Sequence, residues 1–577
     1  MTAECSSQAG QSSYSRPTVL AVAKASIVVA LTAALAAIVT EVSLRLSFAS
    51  GRLSVPPLYD DVVYFVSAAR WLATAPGRSI GGNLYALFDQ HSPFTTLAAA
   101  IGLKWMPGNY VGPYAFNGIV IAAFMLGVAW LVWRRSVLDI ATCLIGVACV
   151  PMLSQTVTEA RPDLPWGLGM GVAIGALFRR PLLGRSYASL FLIGLFCGVV
   201  VALKPSAFPA SVACLGFAAC AATLSNYLET TERGAHALIR HAIATLVPFG
   251  CGLIVGAAAI MGVSFAQTVR YILKTMVYHS DLWATPGDLY YHLTFYSVGP
   301  AGSLALNVWF WIGLMLFAVR LSVAWFRDRT DVFRALALLS VVLVAYAIPT
   351  ASIMKTYFLG SIFYGPFVVA MVLNYMAIVD GFETRRAGSR AVPGWLGTAA
   401  RFTPLGAMAL IFVGVVALGR VALATSLDRN SIADIRTATE RVWSLLLKNA
   451  PQGPTEPSGR HGSGLVAAFS SPFPVTSSAI ELYAVQARVN LDARGAYFFH
   501  DLDEAVRNLS SADFAIITSS IPHNLPGPRM GDELIRRLDA EPGMCLVDSM
   551  PLLTARVMRI YRRSATGCVS GPHQTPQ

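Results

Sequence analysis

Apolar residues along this 577-residue chain gather into long, nearly unbroken runs. A helix that crosses the hydrocarbon core of a bilayer needs about 20 predominantly apolar residues. About eleven runs meet or approach that requirement, near 18–41, 115–133, 137–154, 164–178, 187–203, 206–227, 241–264, 300–319, 335–350, 357–379 and 404–425. The predicted fold is therefore a polytopic α-helical membrane protein. From 464 the pattern changes. Short apolar runs at 465–469, 514–518, 544–547 and 557–561 alternate with helical periodicity at 478–489, 502–509 and 532–538, which predicts a small α/β domain over 464–563. Pro, Gly and Ser crowd 450–463, so 426–463 reads as a linker between the membrane domain (18–425) and the α/β domain. The polar ends, 1–17 and 564–577, read as disordered, and the sequence shows no internal repeat.

Composition points the same way. Charged residues make up 13% of the chain and hydrophobic ones 55%, whereas soluble domains carry roughly 25% charged residues. The net charge of +12 does not mark a nucleic-acid binder, because the arginines are spread between apolar runs instead of forming one basic patch. Those arginines set orientation. One set of alternating loops holds Arg134, Arg135, Arg179, Arg180, Arg185, Arg233, Arg240, Arg320, Arg327, Arg329, Arg334, Arg385, Arg386, Arg390 and Arg401 on short connections. The other holds fewer basic residues on longer loops. The positive-inside rule makes the first set cytoplasmic, with the N-terminus inside and the C-terminal domain outside. Long segments at 42–114 and 265–299 then lie on the outer face, the first with amphipathic stretches at 64–72 and 94–105 that read as interfacial helices. Arginine far outnumbers lysine, in keeping with a GC-rich bacterial genome, and the expected location is the bacterial inner membrane. Cys143, Cys149, Cys197, Cys214, Cys220 and Cys251 sit in apolar runs and read as small core residues. Cys545 and Cys568 fall in the outer region, where a disulfide and two free thiols are both open.

The polar residues near the predicted spans gather on the outer side, where they carry the candidate chemistry. After the first span comes Tyr59-Asp60-Asp61-Val62-Val63-Tyr64. Adjacent carboxylates point in different directions on a helix; one could serve as a general base, and either could simply cap the helix. His91-Ser92-Pro93 follows, equally readable as a turn. Glu159-Ala160-Arg161-Pro162-Asp163-Leu164-Pro165 opens the fourth span. There Arg161 has the forked donors that suit a phosphate, Asp163 could hold a metal or orient a sugar, and an ion-paired helix start is the structural alternative. Lys204-Pro205-Ser206 ends the fifth span, with Lys204 either neutralising a phosphate or snorkelling. The loop from Arg270 to Tyr296 contains Lys274, His279 and several aromatics, and Lys355 and Tyr357 open the tenth span on the same face.

In this order, the motifs resemble the GT-C glycosyltransferase superfamily, and within it the branch of protein O-mannosyltransferases and lipid A aminoarabinose transferases. The likeness covers roughly 18–230: the acidic pair Asp60-Asp61 with Tyr64, then His91-Ser92-Pro93, Arg161/Asp163/Pro165 and Lys204-Pro205-Ser206. It implies transfer of a sugar from a polyprenyl-phosphate donor to an extracytoplasmic lipid, polysaccharide or protein acceptor. Asp60 and Asp61 would be the catalytic acids, with Asp60 activating the acceptor hydroxyl. Arg161, Lys204 and Lys355 would hold the donor phosphate. Tyr64, His91, Glu159, Asp163, His279 and Tyr357 would bind substrate. Asp61 stands where the family often has Glu, and Ser92 where Pro is frequent, which leaves open which acid is the base. Some relatives use a divalent cation; the sequence has no tight ligand set for one. The α/β domain differs from the O-mannosyltransferase tail. It keeps an arabinofuranosyltransferase-like enzyme of the same superfamily in view, beside a transporter or flippase.

Overall fold

The computed structural model describes residues 15–57, 59–90, 92–149, 157–230, 234–278, 287–294, 304–327, 329–351, 361–388, 427–451, 464–523, 525–566 and 568. Its membrane part contains the helices α1 (Ser15–Ala49), α2 (Tyr59–Thr74), α3 (Ile80–Phe88), α4 (Pro93–Trp105), α5 (Val111–Leu131), α6 (Val137–Ala148), α7 (Asp163–Phe178) and α8 (Tyr187–Leu203). They are followed by α9 (Phe208–Leu228), α10 (Ala235–Met261), α11 (Phe265–Ile272), α12 (Leu289–Thr294), α13 (Leu304–Arg327), α14 (Arg329–Ala351) and α15 (Ser361–Gly388). Seven of these are long and apolar enough to cross a membrane, and α6, α7 and α8 are shorter apolar helices. Ten predicted spans thus coincide with helices; the run at 404–425 lies outside the described residues. Large side chains such as Leu20, Ile243, Ile254 and Trp325 stand exposed around the bundle, a surface that suits lipid rather than water.

Lipid tails offer no hydrophobic drive for helices to associate, so close backbone packing must supply it. Helices α8 and α10 have a small-xxx-small pair each, Gly194/Gly198 and Gly252/Gly256. A Cβ added at Gly194 would lie 2.0 Å from the carbonyl oxygen of Phe249, and one at Gly256 2.2 Å from that of Leu195. Only glycine permits this approach. Buried Cys143, Cys149, Cys197 and Cys214 fill small gaps as expected, but Cys220 and Cys251 are exposed. Apolar runs do not specify which side of a helix meets protein and which meets lipid, and this is why the expectation fails for those two.

The C-terminal unit is a five-stranded mixed sheet in the order β2-β1-β3-β5-β4. Its strands are β1 (Leu465–Phe469), β2 (Leu491–Gly495), β3 (Phe514–Thr518), β4 (Met544–Pro551) and β5 (Val557–Arg563). β1 pairs in parallel with β2 and β3; β5 runs antiparallel to β3 and β4. Helices α16 (Arg429–Asn449) and α17 (Ser477–Ala487) cover one face; α18 (Leu502–Ser510) and α19 (Gly531–Asp539) cover the other. The stretch expected as a linker, 426–463, needs correction on this point. Ile435, Ala438, Val442 and Leu446 are buried at helical spacing, and the last three join the core beneath β1 and β3. Cys545 and Cys568 form a disulfide.

This unit packs on the membrane part. Val62, Phe65 and Ala69 of α2 share one core with Ala479, Leu482 and Val485 of α17. The Tyr110 hydroxyl donates to Gln486 at 2.9 Å, Arg70 pairs with Glu481, and the Leu427 N–H donates to the Ser50 carbonyl at 2.9 Å. The amphipathic stretches expected at the interface are α2 and α4, and α2 buries its apolar side against protein.

Candidate active site between the membrane helices and the C-terminal unit

Helix α1 ends at Ala49, and Gly51 just beyond it has a φ of 85°, the left-handed conformation that stops helices. A short turn carries Arg52, two prolines follow, and α2 begins with Asp60 and Asp61 in its first turn, where carboxylates suit the helix dipole. Neighbours on a helix point about 100° apart, since 3.6 residues make a turn. One acid therefore faces the protein and the other does not.

Asp61 faces inward and is 1% exposed. Its carboxylate accepts from Arg52 at 2.9 Å, from Arg161 at 3.1 Å and from the Tyr114 hydroxyl at 3.0 Å. Glu159 adds a second anion, 3.4 Å from Arg52 and 4.0 Å from Arg161. Burial raises the Glu159 pKa, and the two arginines oppose that rise. Burial works against the charge of Arg52, but Asp61 and Glu159 outweigh it and hold its pKa above the ordinary value. The result is a buried two-arginine, two-carboxylate clamp joining the end of α1, the start of α2 and the segment leading into α7.

Asp60 faces the other way, with its side chain about half exposed and 3.9 Å from Arg161. It borders a cavity of about 810 Å³. Tyr64, Ser92, Arg161, Asp163 and Lys204 line the same cavity, so four sequence segments converge there. Lys204, 1% exposed, donates to Asp163 at 2.6 Å and lies 4.9 Å from the Trp166 ring centre. The break at Pro205 ends α8 there and holds the ammonium at the helix end. Asp61 and Glu159 do not line the cavity; they brace Arg161, which does. His91, His279, Lys355 and Tyr357 lie outside the described residues.

Sequence reasoning assigned no role to several residues of this site. Tyr271 and Lys274 line the cavity. Burial, then Asp60 and Asp163, push the Tyr271 phenol up to about 12. Lys274 is exposed and has no carboxylate partner among the described residues. The far wall comes from the C-terminal unit: Gly495, Phe498, Phe499, His500, Asp501 and Glu504. Gly495 ends parallel strand β2 and the others follow it, and the carboxyl ends of parallel strands are where α/β sheets receive ligands. Phe498 is 45% exposed, and burial together with Asp60 raises the pKa of neighbouring Tyr497. Among the described residues, no group of three or more His, Cys, Asp or Glu side chains could hold a metal ion.

The fold and cavity define a multi-pass membrane protein with a cavity bearing acidic and basic side chains at the junction of its helices with an α/β unit. No protein-family profile matches the chain, and no curated protein matches it. Among solved structures, it is similar to the crystal structure of ArnT from Cupriavidus metallidurans bound to undecaprenyl phosphate. That match spans 95% of this chain and 98% of the other, at 13% identity and a TM-score of 0.49.

Proposed function

We propose that this chain is a GT-C-type membrane glycosyltransferase that moves a sugar from a polyprenyl-phosphate donor to a hydroxyl acceptor on the extracytoplasmic face. One observation carries the reading: Asp60, Arg161, Asp163 and Lys204, drawn from three separate sequence motifs, border a single cavity large enough for a sugar phosphate. Asp60 takes the acceptor's proton as the hydroxyl oxygen attacks the anomeric carbon. The bond from that carbon to the phosphate oxygen breaks, and polyprenyl phosphate leaves with the electron pair. Arg161, Lys204 and Lys274 stabilise the charge that grows on it. Asp61 and Glu159 act through Arg161 as positioning residues, and Tyr64 and Asp163 orient the sugar. His91, His279, Lys355 and Tyr357 complete the proposed donor and acceptor contacts.

Two arguments support placing the cavity on the extracytoplasmic side. Arg134, Arg135, Arg179, Arg180, Arg320 and Arg334 gather at the other end of α7 from the cavity, as expected of a cytoplasmic face. The α/β unit that walls the cavity contains the Cys545–Cys568 disulfide, which suits an oxidising compartment. The exposed Phe498 beside Asp501 and Glu504 gives the acceptor side an apolar face flanked by hydrogen-bond acceptors, the surface a sugar ring presents itself to.

The test is transfer by the purified full chain in nanodiscs, using labelled polyprenyl-phosphate sugars (pentose and hexose) and membrane lipid or glycan acceptors. A glycosidic product formed by the wild type and lost in Asp60→Asn supports the proposal. Movement of the lipid across a vesicle bilayer with no glycosidic bond formed would instead identify a flippase and overturn it.

A further inference from the structure

At the opposite end of the bundle, a second cavity of about 280 Å³ lies among the ends of five helices: α5, α7, α13, α14 and α15. Helix α7 connects the two sites: Asp163 opens it at the first, and Phe178 closes it at the second, about 23 Å away at 1.5 Å per residue. Arg134, Arg135, Arg179, Arg180, Arg320 and Arg334 all line this small space.

Some of that charge is answered within the protein. Arg135 pairs with Asp380 and Arg334 with Glu229, while Arg320 donates to the Asp331 carboxylate and to the Asn374 side-chain Oδ1, both at 2.9 Å. Arg134, Arg179 and Arg180 have no carboxylate within ion-pair distance among the described residues. Arg179 stacks on Trp130 at 4.3 Å; burial and the nearby Arg180 and Arg134 lower its pKa. A topology signal accounts for exposed arginines at a membrane surface. It does not account for Arg179, which is half-buried in the cavity wall against Trp130, beside Arg134 and Arg180, with no carboxylate to answer it. A cation removed from water without an anion beside it is costly. A half-buried cation among like charges in a cavity wall points to an acceptor supplied from outside the chain.

We infer that this arginine cavity is a binding site for a phosphate group at the membrane face opposite the catalytic cavity. The ligand chemistry is an oxyanion with several acceptor oxygens, able to take up the guanidinium edges of Arg134, Arg179 and Arg180 that line the cavity. A phospholipid headgroup and free inorganic phosphate share that chemistry. The site owes nothing to the glycosyltransferase reading and stands if that reading fails.

The test uses the full-length protein in neutral detergent. Cardiolipin or phosphatidylglycerol, with phosphatidylcholine as control, is titrated and followed by native mass spectrometry and thermal unfolding. A parallel arm titrates sodium phosphate against sodium chloride at matched ionic strength. Arg134 and Arg180 are exposed, so the double variant R134Q/R180Q keeps the buried pairs intact. Each of these arginines adds to the attraction for an anionic headgroup, so the double variant should bind at least about tenfold more weakly. Its unfolding temperature without anion should match or exceed the wild type's, because like charges have been removed. Stabilisation by the anionic lipids identifies a headgroup site, and stabilisation by phosphate alone a free-anion site. If neither probe raises the wild-type unfolding temperature, or R134Q/R180Q binds as tightly as the wild type, the inference is wrong.

Discussion

Asp60 and Asp61 are adjacent in sequence but sit in different environments, so the same isosteric change should have opposite consequences at the two positions. In Asp61→Asn, Arg52 and Arg161 lose the carboxylate that binds them at 2.9 and 3.1 Å, while Glu159 remains at 3.4 and 4.0 Å. Removing one member of a buried charge network costs about 3–5 kcal/mol, because its partners stay buried and unanswered. Each 1.4 kcal/mol is a factor of ten, so the folding equilibrium should fall by roughly two to four orders of magnitude. That is a large part of a stability of about 5–15 kcal/mol. In Asp60→Asn the lost group is half exposed and 3.9 Å from its nearest arginine, so stability should change by less than about 1 kcal/mol. Turnover, however, should drop by about 10²–10⁴ if Asp60 is the general base. Thermal unfolding by size-exclusion chromatography gives the first readout, and single-turnover sugar transfer in nanodiscs the second. Normal turnover in a well-folded Asp60→Asn protein, or an unaltered unfolding temperature in Asp61→Asn, would refute the division between clamp and base.

The two cavity lysines should separate in the same way. Lys204→Met strands Asp163 and should destabilise by about 3–5 kcal/mol, whereas Lys274→Gln should leave the unfolding temperature unchanged. Lys274→Gln should nevertheless weaken polyprenyl-phosphate binding about tenfold, measured by competition against labelled lipid. Phe498→Ala should raise the acceptor KM by about ten- to a hundredfold, with little change in single-turnover rate at saturation, since burying a Phe ring contributes about 1.5–3 kcal/mol. Glu159 should leave a pH signature. Its folded pKa lies above the unfolded value, so the folded chain binds more protons between the two, and this group's contribution to stability falls as pH rises through that window. Glu159→Gln should remove that slope from unfolding curves taken upward from about pH 4.5; an identical slope in the variant would contradict it.

Much of this arrangement was legible where a local pattern decided it. Strands β1 and β3 begin and end where their apolar runs do, because both faces of each are covered. β2 was not read, because Leu-Asp-Ala-Arg-Gly alternates charge and small residues as an edge strand does, and Asp492 and Arg494 pair with each other on it. α16 had the signal in Ile435, Ala438, Val442 and Leu446, yet its charged outer face and the Pro/Gly stretch after it suggested a linker. At the site, Asp60, Arg161, Asp163 and Lys204 were identifiable because charge beside a long apolar run stands out. Arg52 stands outside the motifs, and its value to the site depends on Asp61 and on Glu159 across the fold. Phe498 to Asp501 lie more than 430 residues from Asp60, and spacing alone contains nothing that would bring them together.

The clamp also explains why an acidic pair suits this position better than one acid. A lone carboxylate at the start of α2 could be buried with Arg52 and Arg161 or be free to meet an acceptor hydroxyl, but not both. With two, the roughly 100° between successive residues lets Asp61 fix the helix start while Asp60 stays open to the cavity. Arg161 links them: its Nε binds Asp61, and its Nη1 lies within ion-pair range of both Asp60 and Glu159. A shift in the clamp would therefore move the cavity's cation and its carboxylate together. An Asp61→Glu variant tests this coupling, since one added methylene in a 1% exposed site must displace Arg52, Arg161 or α2. Turnover should fall by tenfold or more while lipid-phosphate binding weakens in parallel. Loss of one without the other would mean that Arg161 and Asp60 are held independently.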